Sequence, residues 1–100
     1  NVDWGQDLIR LHEYLERERI DVVNLAYFGR VNPNVYGIRF LPLERDSHGI
    51  AVISASFLMG RPYLGWKDGR MRWVPSRTYE WLRGYKPVAR VGSMFVFDLP

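Results

Sequence analysis

Few residues of this chain have a type and spacing that suit chemistry. The two histidines, His12 and His48, form no HxxxH, HxH or HxxE pattern, and such patterns mark metal sites. Ser54 and Ser56 follow an apolar stretch, but their segment SASFLMG matches neither the GxSxG nucleophile elbow nor a phosphate-binding loop. Helix capping explains both serines. We therefore expect no catalytic residue, no metal and no cofactor in this chain.

Two acidic residues near the start, Asp3 and Asp7, lie one helical turn apart. They open a segment, Asp3–Arg19, that is predicted to be an amphipathic helix. Residues on its apolar face recur at helical spacing, namely Leu8, Leu11, His12 and Leu15. Both carboxylates can line a cleft above the helix N-terminus. Capping of the helix by Asp3 with Gln6, and the favourable helix dipole at Asp7, explain the same residues without any ligand.

Basic and aromatic residues are interleaved in the stretch RPYLGWKDGRMRWVPSR, which covers residues 61–77. The residues that carry this character are Tyr63, Trp66, Lys67, Arg70, Arg72 and Trp73. Such a segment can bind nucleic acid, form a surface loop tied down by its aromatics, or contact membrane headgroups or another domain. The net charge of +3 is too small for a nucleic-acid footprint. We expect an irregular interface or membrane-proximal loop, with no nucleic-acid partner.

The composition limits the kinds of protein that the chain can be. Its 100 residues, 47% of them apolar and 25% charged, suit one globular domain with one core. The absence of cysteine excludes disulfides, cysteine-ligated zinc and thiol chemistry. The sequence has no apolar run of about 20 residues to span a membrane, and it begins without methionine. We expect residues 1–100 to be a single soluble domain of a larger protein.

The remaining elements follow from local patterns of apolar and turn residues. Two nearly continuous apolar runs, DVVNLAYF at 21–28 and GIAVIS at 49–54, predict buried strands. The other predicted elements are an extended segment at 36–41 stopped by Pro42, a helix at 77–83 capped by Ser76 and Gly84, and a C-terminal β-hairpin of 88–91 with 94–98 around Gly92-Ser93. The order predicts an α/β fold: a small mixed, partly parallel sheet with flanking helices and this hairpin.

Four segments together resemble a known family. They are DWGQDLIRLHEYL, LAYFGRVNPNVYGIRFLPL, AVISASFLMG and YEWLR..KPVARVGSMFVFDL, and they are similar to the C-terminal soluble region of bacterial family 39 membrane glycosyltransferases. These enzymes are dolichyl-phosphate-mannose protein mannosyltransferase-like and use polyprenyl-phosphate sugars. The stretch 61–76 is longer than the family's usual connection to the YEWLR helix. The more specific part is residues 3–7 with Tyr27-Phe28-Gly29 and Tyr36-Gly37-Ile38.

The resemblance implies a function for the whole protein and a limited one for this chain. The parent would transfer a sugar from a lipid-phosphate carrier to an acceptor at the outer face of the bacterial cytoplasmic membrane. Its catalytic acid would lie in a loop of the transmembrane region, which would be the partner of this domain, so no catalytic residue is carried over. Binding of carbohydrate or acceptor would then fall to Asp3, Trp4, Gln6 and Asp7, with the 61–76 loop near the membrane surface.

An interaction or dimerisation domain without a ligand is the alternative function. It requires an exposed apolar patch, for which Tyr63, Trp66 and Trp73 are the candidates. Burial of these aromatics against the domain's own core would argue against it. An independent small enzyme is disfavoured, because it requires a nucleophile with a base or a metal set.

Overall fold

A computed structural model describes residues 4–27, 32–58, 63–67, 69–74 and 78–100, except the side chains of Trp4, residues 63–67 and Val74. The helices are α1 (Trp4–Arg17) and α2 (Ala55–Leu58), with 3₁₀ helices at Pro33–Tyr36 and Glu80–Gly84. The strands are β1 (Val23–Ala26), β2 (Phe40–Pro42), β3 (Gly49–Ser54), β4 (Tyr63–Lys67), β5 (Arg70–Val74), β6 (Ala89–Val91) and β7 (Met94–Leu99).

Five of the strands form one mixed sheet in the order β2-β1-β3-β7-β6. The β1 strand is parallel to both β2 and β3, whereas β7 is antiparallel to β3 and to β6. This arrangement confirms the predicted α/β class, with a partly parallel sheet that is closed on one side by the C-terminal hairpin. The β3 strand has the bounds that its apolar run predicts.

Helix α1 covers one face of this sheet. Its three leucines, Leu8, Leu11 and Leu15, are at most 5% exposed. They pack with residues that alternate along the strands, namely Val23, Leu25, Tyr27, Val52, Val91, Met94 and Val96. The alternation arises because successive side chains of a strand point to opposite faces. At roughly 25 cal/mol per Å² of buried apolar surface, burial of this stripe is what holds α1 on the sheet.

The opposite face is covered by α2 and the 3₁₀ helix Glu80–Gly84. Its core consists of Ala26, Leu43, Ala51, Ile53, Phe57, Tyr79, Leu82, Phe97 and Leu99. The rings of Phe57 and Tyr79 are 5.4 Å apart between centroids, and the Arg83 guanidinium donates to the Leu58 carbonyl. The two short helices are thus joined over the sheet, and the fold has three layers.

Several predicted bounds are wrong, for local reasons. Tyr36 belongs to a 3₁₀ helix and not to an extended segment, because the Asn32 side chain accepts from the Asn34 amide and Gly37 closes the turn at φ 78°. Pro42 lies within β2, which is an edge strand and therefore tolerates a residue without an N–H. The second helix is a short 3₁₀ helix whose C-cap is Tyr85 and not Gly84; its predicted cap Ser76 lies outside the described residues.

The stretch predicted to be irregular contains a second sheet. The β4 and β5 strands pair antiparallel over five positions, from Tyr63 opposite Val74 to Lys67 opposite Arg70. Their turn includes Gly69 at φ 73°, a backbone angle that glycine adopts without strain. The sequence Asp68-Gly69 is a common hairpin turn pair. A two-residue turn of this kind determines the register of the two strands that it joins, even where those strands show no apolar alternation.

Candidate functional site

The N-terminal turn of α1 lies over the carboxyl ends of the parallel strands. The reason is topological: α1 is followed directly by β1, so a helix packed along that strand runs antiparallel to it. Its first turn therefore meets the end of β1, which is beside the end of β3. The carboxyl edge of parallel strands is where open α/β sheets bind their ligands. We refer to this region as the carboxyl edge.

Asp7 is the buried charge of the carboxyl edge, with 4% of its surface exposed. The Ser93 amide donates to Asp7 Oδ1 at 3.3 Å, and the Ser93 hydroxyl donates to Asp7 Oδ2. Arg10 Nη1 donates to the same Oδ1 at 3.4 Å. These bonds join the first turn of α1 to the β6–β7 turn. Burial of a carboxylate is tolerated because donors replace its water.

Gly92 makes this approach possible. Its φ is 57°, and a Cβ at this position would overlap Asp7 Oδ1 and lie 2.9 Å from Asp7 Cγ. Any other residue would therefore push the carboxylate away from Ser93. The Gly92-Ser93 turn was predicted from its sequence as a hairpin turn, and the structure confirms that hairpin. The contact between this turn and the Asp7 carboxylate was not predicted.

Tyr27 completes the carboxyl edge from the strand side. It follows β1, is 2% exposed, and packs against the α1 cluster. Its hydroxyl is buried and has no hydrogen-bond partner in the part of the chain that the structure describes. Burial raises the pKa of Tyr27 to about 12, and electrostatic interactions with Tyr36 and Asp7 add to this effect. The hydroxyl is therefore a neutral donor at physiological pH.

An unpartnered buried hydroxyl is energetically unfavourable. Leaving such a group without a hydrogen bond costs about 1–3 kcal/mol. Phenylalanine has nearly the same shape and would avoid that cost, so the presence of tyrosine calls for an explanation. Ser54 lies on the neighbouring strand, one position beyond the last β1–β3 pair, and is 5% exposed. Ser54 has an interaction of its own, so Tyr27 is the polar group at this edge, among the described residues, that lacks one.

The four residues predicted to face a ligand have different outcomes. Asp3 lies outside the described residues, so its capping role stays a prediction. Trp4 begins α1, but its side chain is not described. Gln6 is exposed and already has an interaction partner. Asp7 is the residue that the structure places within the carboxyl edge. Tyr27 and Ser93 were not identified from the sequence, because their proximity to Asp7 depends on the strand order.

A groove opens beside Asp7, between α1 and the β6–β7 hairpin. Its volume is about 360 Å³, near the lower end of the ~300–1,000 Å³ of small-molecule sites. The lining residues are Arg10, Glu13, Tyr14, Arg17, Ala89, Arg90, Val91 and Gly92. Two of these residues, Arg10 and Gly92, also contact or adjoin Asp7, although Asp7 itself does not line the groove. We call this the α1–β6 groove.

The β4–β5 ribbon presents a different kind of surface. Trp73 is 70% exposed, and Arg70 and Arg72 are exposed as well. Tyr63, Trp66 and Lys67 lie in β4, where their side chains are not described. Residues directly opposite each other in a two-stranded sheet lie on the same face. Since Trp73 is two residues from Met71, those two lie on one face and the arginines on the other.

Both histidines have ordinary surroundings. His12 Nε2 is 3.4 Å from Glu16 Oε1, and His48 Nδ1 is 2.7 Å from the Pro100 carbonyl oxygen. No group of three histidines, cysteines or carboxylates that could hold a metal occurs among the described residues. A larger open cleft, about 590 Å³, lies between Leu43–Arg45 and Thr78–Trp81. Glu44 and Glu80 are its acidic lining residues, with Arg45 as the basic one.

No described helix has the length and apolar content that a membrane crossing requires. Comparisons of the chain with protein-family models, with curated proteins and with solved structures found no match. The resemblance to family 39 glycosyltransferases therefore rests on the sequence segments quoted above.

Proposed function

We propose that this chain is a non-catalytic, acceptor-binding domain of a membrane glycosyltransferase. The parent protein transfers a sugar from a polyprenyl-phosphate carrier to an acceptor at the outer face of the bacterial cytoplasmic membrane. Its transmembrane catalytic region is the partner of this domain. The resemblance of the four sequence segments supports the class of enzyme, and the carboxyl edge supports the binding role.

The observation that carries the binding role is the buried Asp7 at the carboxyl edge. A carboxylate held by Ser93 and Arg10 is a fixed hydrogen-bond acceptor. Hydroxyl-rich acceptors are recognised by such groups, because each hydroxyl can donate one hydrogen bond. The α1–β6 groove is lined by Arg10 and Gly92, which adjoin this carboxylate, and by Tyr14, an aromatic side chain that can pack against a sugar ring. The DWGQD segment therefore marks the ligand-facing edge of the domain.

The test uses the complete protein in membranes and the variant Asp7→Asn. This change keeps the shape of the side chain but removes its charge, and hydrogen bonds to charged groups are roughly twice as strong as neutral ones. We expect KM for the acceptor to rise by about tenfold, which corresponds to ~1.4 kcal/mol, with kcat little changed. Asp98→Asn, at an exposed acid of β7, is the matched control.

Two results would contradict the proposal. One is a complete protein whose gene encodes no hydrophobic spans, since a polyprenyl-phosphate enzyme requires a transmembrane region. The other is an Asp7→Asn protein that folds and transfers sugar with unchanged KM and kcat.

A specific observation also favours a second function, an interaction domain. Trp73 is 70% exposed on a ribbon whose other face carries Arg70 and Arg72. Exposed tryptophan and exposed arginine are typical of protein interfaces, where both residue types are enriched. In this function the ribbon, and not the carboxyl edge, makes the contact. The same ribbon can lie at the membrane surface if the first function is correct, because tryptophan and arginine both favour the headgroup region.

A further inference from the structure

The α1–β6 groove is lined by three arginines and one acid. Arg10, Arg17 and Arg90 supply its positive charge, and Glu13 is the acidic lining residue, so the lining has a net charge of +2. The larger cleft on the opposite face of the sheet has the reverse balance, with two acids and one arginine. Because arginine stays protonated in proteins, the α1–β6 groove presents this positive charge at any physiological pH.

Two of the three guanidinium groups are held against aromatic rings. The Arg17 guanidinium lies 5.5 Å from the centroid of the Tyr14 ring, and that of Arg90 lies 5.3 Å from the centroid of Phe95. Cation–π contacts at such distances are favourable. Arg90 Nε also donates to the Gly92 carbonyl at 3.1 Å. These contacts limit the rotamers of both arginines before a ligand arrives, which lowers the entropy that binding must remove.

Each guanidinium keeps N–H groups for a ligand. In the described contacts, Arg10 is engaged through Nη1 with Asp7, and Arg17 Nε lies 3.7 Å from Glu18 Oε2. Arg90 is engaged through Nε. A guanidinium carries several N–H donors in a planar fork, so one engaged nitrogen leaves others available. All three side chains are exposed, and their remaining donors can therefore reach a ligand in the groove.

The charge of the groove selects a phosphate over a carboxylate. Guanidinium groups bind both kinds of anion through paired N–H donors. A phosphate monoester carries about −1.5 to −2 charges at pH 7 and has three acceptor oxygens, which matches a lining with three arginines and a net charge of +2. A carboxylate carries a single charge. The volume of about 360 Å³ is that of a small-molecule site, so the organic part of the ester can also be accommodated.

We infer that the α1–β6 groove binds the phosphate group of a phosphorylated sugar through Arg10, Arg17 and Arg90. The inference rests on the acceptor-binding function proposed above, which supplies the sugar. Asp7 does not line the groove; it holds Arg10 at 3.4 Å, and its own charge is compensated by that contact and by Ser93. Glu13 is exposed, so solvent and salt screen its repulsion of an anion.

The test is an NMR titration of this chain with D-glucose 6-phosphate, in which backbone amide and arginine Nε–H signals are followed. Saturable shifts are expected at Arg10, Tyr14, Arg17 and Arg90. Methyl α-D-glucopyranoside, which is neutral, and D-glucuronate, which carries one carboxylate, should bind more weakly by about tenfold or more. Inorganic phosphate should also bind more weakly than the ester. Added salt should weaken the binding of glucose 6-phosphate, since it screens exposed charges.

Arg17→Gln and Arg90→Gln each remove one charge from the groove. We expect each to weaken binding about fivefold, or ~1 kcal/mol, which is the upper range for one exposed ion pair. Arg90→Gln also loses the contacts with Phe95 and Gly92, so Arg17→Gln is decisive if the other variant does not fold. Arg45→Gln is the matched control, because it removes the same charge at the cleft on the opposite face and should bind as the wild type does.

Four outcomes would overturn the inference. The first is an Arg17→Gln protein that binds glucose 6-phosphate as tightly as the wild type, or an Arg45→Gln protein that loses as much, which would show an effect of net charge alone. The second is equal binding of the neutral glycoside or of glucuronate. The third is equal binding of inorganic phosphate, which would show an ion site without a sugar. The fourth is a chain that binds vesicles of phosphatidylglycerol through Arg17 but does not bind glucose 6-phosphate.

The transfer assay with the complete protein separates this inference from the proposed function. An acceptor KM that rises in both Asp7→Asn and Arg17→Gln supports both. A KM that rises in Asp7→Asn but not in Arg17→Gln refutes this inference alone. An unchanged KM in both variants refutes the proposed function as well.

Discussion

Replacement of Gly92 by alanine tests how the N-terminal helix and the C-terminal hairpin are joined. The new Cβ would overlap Asp7 Oδ1, and the residue would have to keep a φ of 57°. Gly49→Ala is a matched control, because Gly49 has a φ of 82° and a Cβ at that position would have no neighbouring atom within 4 Å among the described residues. Both changes therefore strain the backbone, but Gly92→Ala alone displaces the carboxylate.

The two costs can be separated. A left-handed backbone costs an L-residue about 1–2 kcal/mol, and we expect Gly49→Ala to lose that amount. In Gly92→Ala the displaced carboxylate also loses the Ser93 hydrogen bonds, and a hydrogen bond to a charged group contributes about 1.5–3 kcal/mol. With one of the two Ser93 bonds lost, the expected total for Gly92→Ala is about 2.5–5 kcal/mol, a large part of the 5–15 kcal/mol that stabilises a typical domain.

Urea unfolding followed by tryptophan fluorescence measures both variants. The double variant Asp7→Ala/Gly92→Ala completes the cycle: without the carboxylate, the alanine at 92 should cost only the backbone term, as at Gly49. If Gly92→Ala unfolds at the same urea concentration as Gly49→Ala, or if the cycle is additive, Asp7 does not contact the turn as described and the reasoning is refuted.

Two further predictions concern pH and the ribbon. Burial raises the pKa of Tyr27 and, with the charge of Glu44, that of Tyr79 from 10.0 to about 12. The stabilising contribution of these neutral tyrosines is therefore intact below pH 10 and is lost as the pH rises through 12. Tyr79→Phe should reduce the fall of the urea unfolding midpoint over this pH range, and an unchanged fall would contradict the prediction. Trp73→Ser should change the free energy of unfolding by no more than ~0.5 kcal/mol, unlike Trp81→Ser at a partly buried site. If the ribbon mediates self-association, sedimentation velocity should show a dimer that Trp73→Ser abolishes, and a monomeric wild type excludes dimerisation through it.

The sheet could be predicted where burial alone determines structure. The run GIAVIS forms β3 over its whole length, and the Gly92-Ser93 turn separates β6 and β7 as expected. Phe95 and Phe97 lie on the face opposite Met94 and Val96, because successive side chains of a strand point to opposite faces. These elements have strong apolar patterns because they form the centre of the sheet.

Elements stabilised by local pairing were not predicted. The β4–β5 ribbon has glycine and arginine among its aromatics, so no apolar period marks it, yet Asp68-Gly69 was a usable turn signal. For the site, Asp7 could be identified because a helix N-terminus is a local feature. Tyr27 could not, since a residue at the end of a strand becomes part of a site only through the order of strands in the sheet.

The position of β7 has a consequence for the order in which the sheet can form. This last strand of the sheet in chain order lies between β3 and β6, inside the sheet and not at its margin. Asp7 likewise accepts a hydrogen bond from Ser93, which lies 86 residues later in the chain. A nascent chain that ends before residue 94 would expose the apolar margin of β3 and leave a buried acid without its donors. Folding can therefore be completed only when β7 is available up to residue 99, and until then the unfinished sheet is open to unwanted strand pairing.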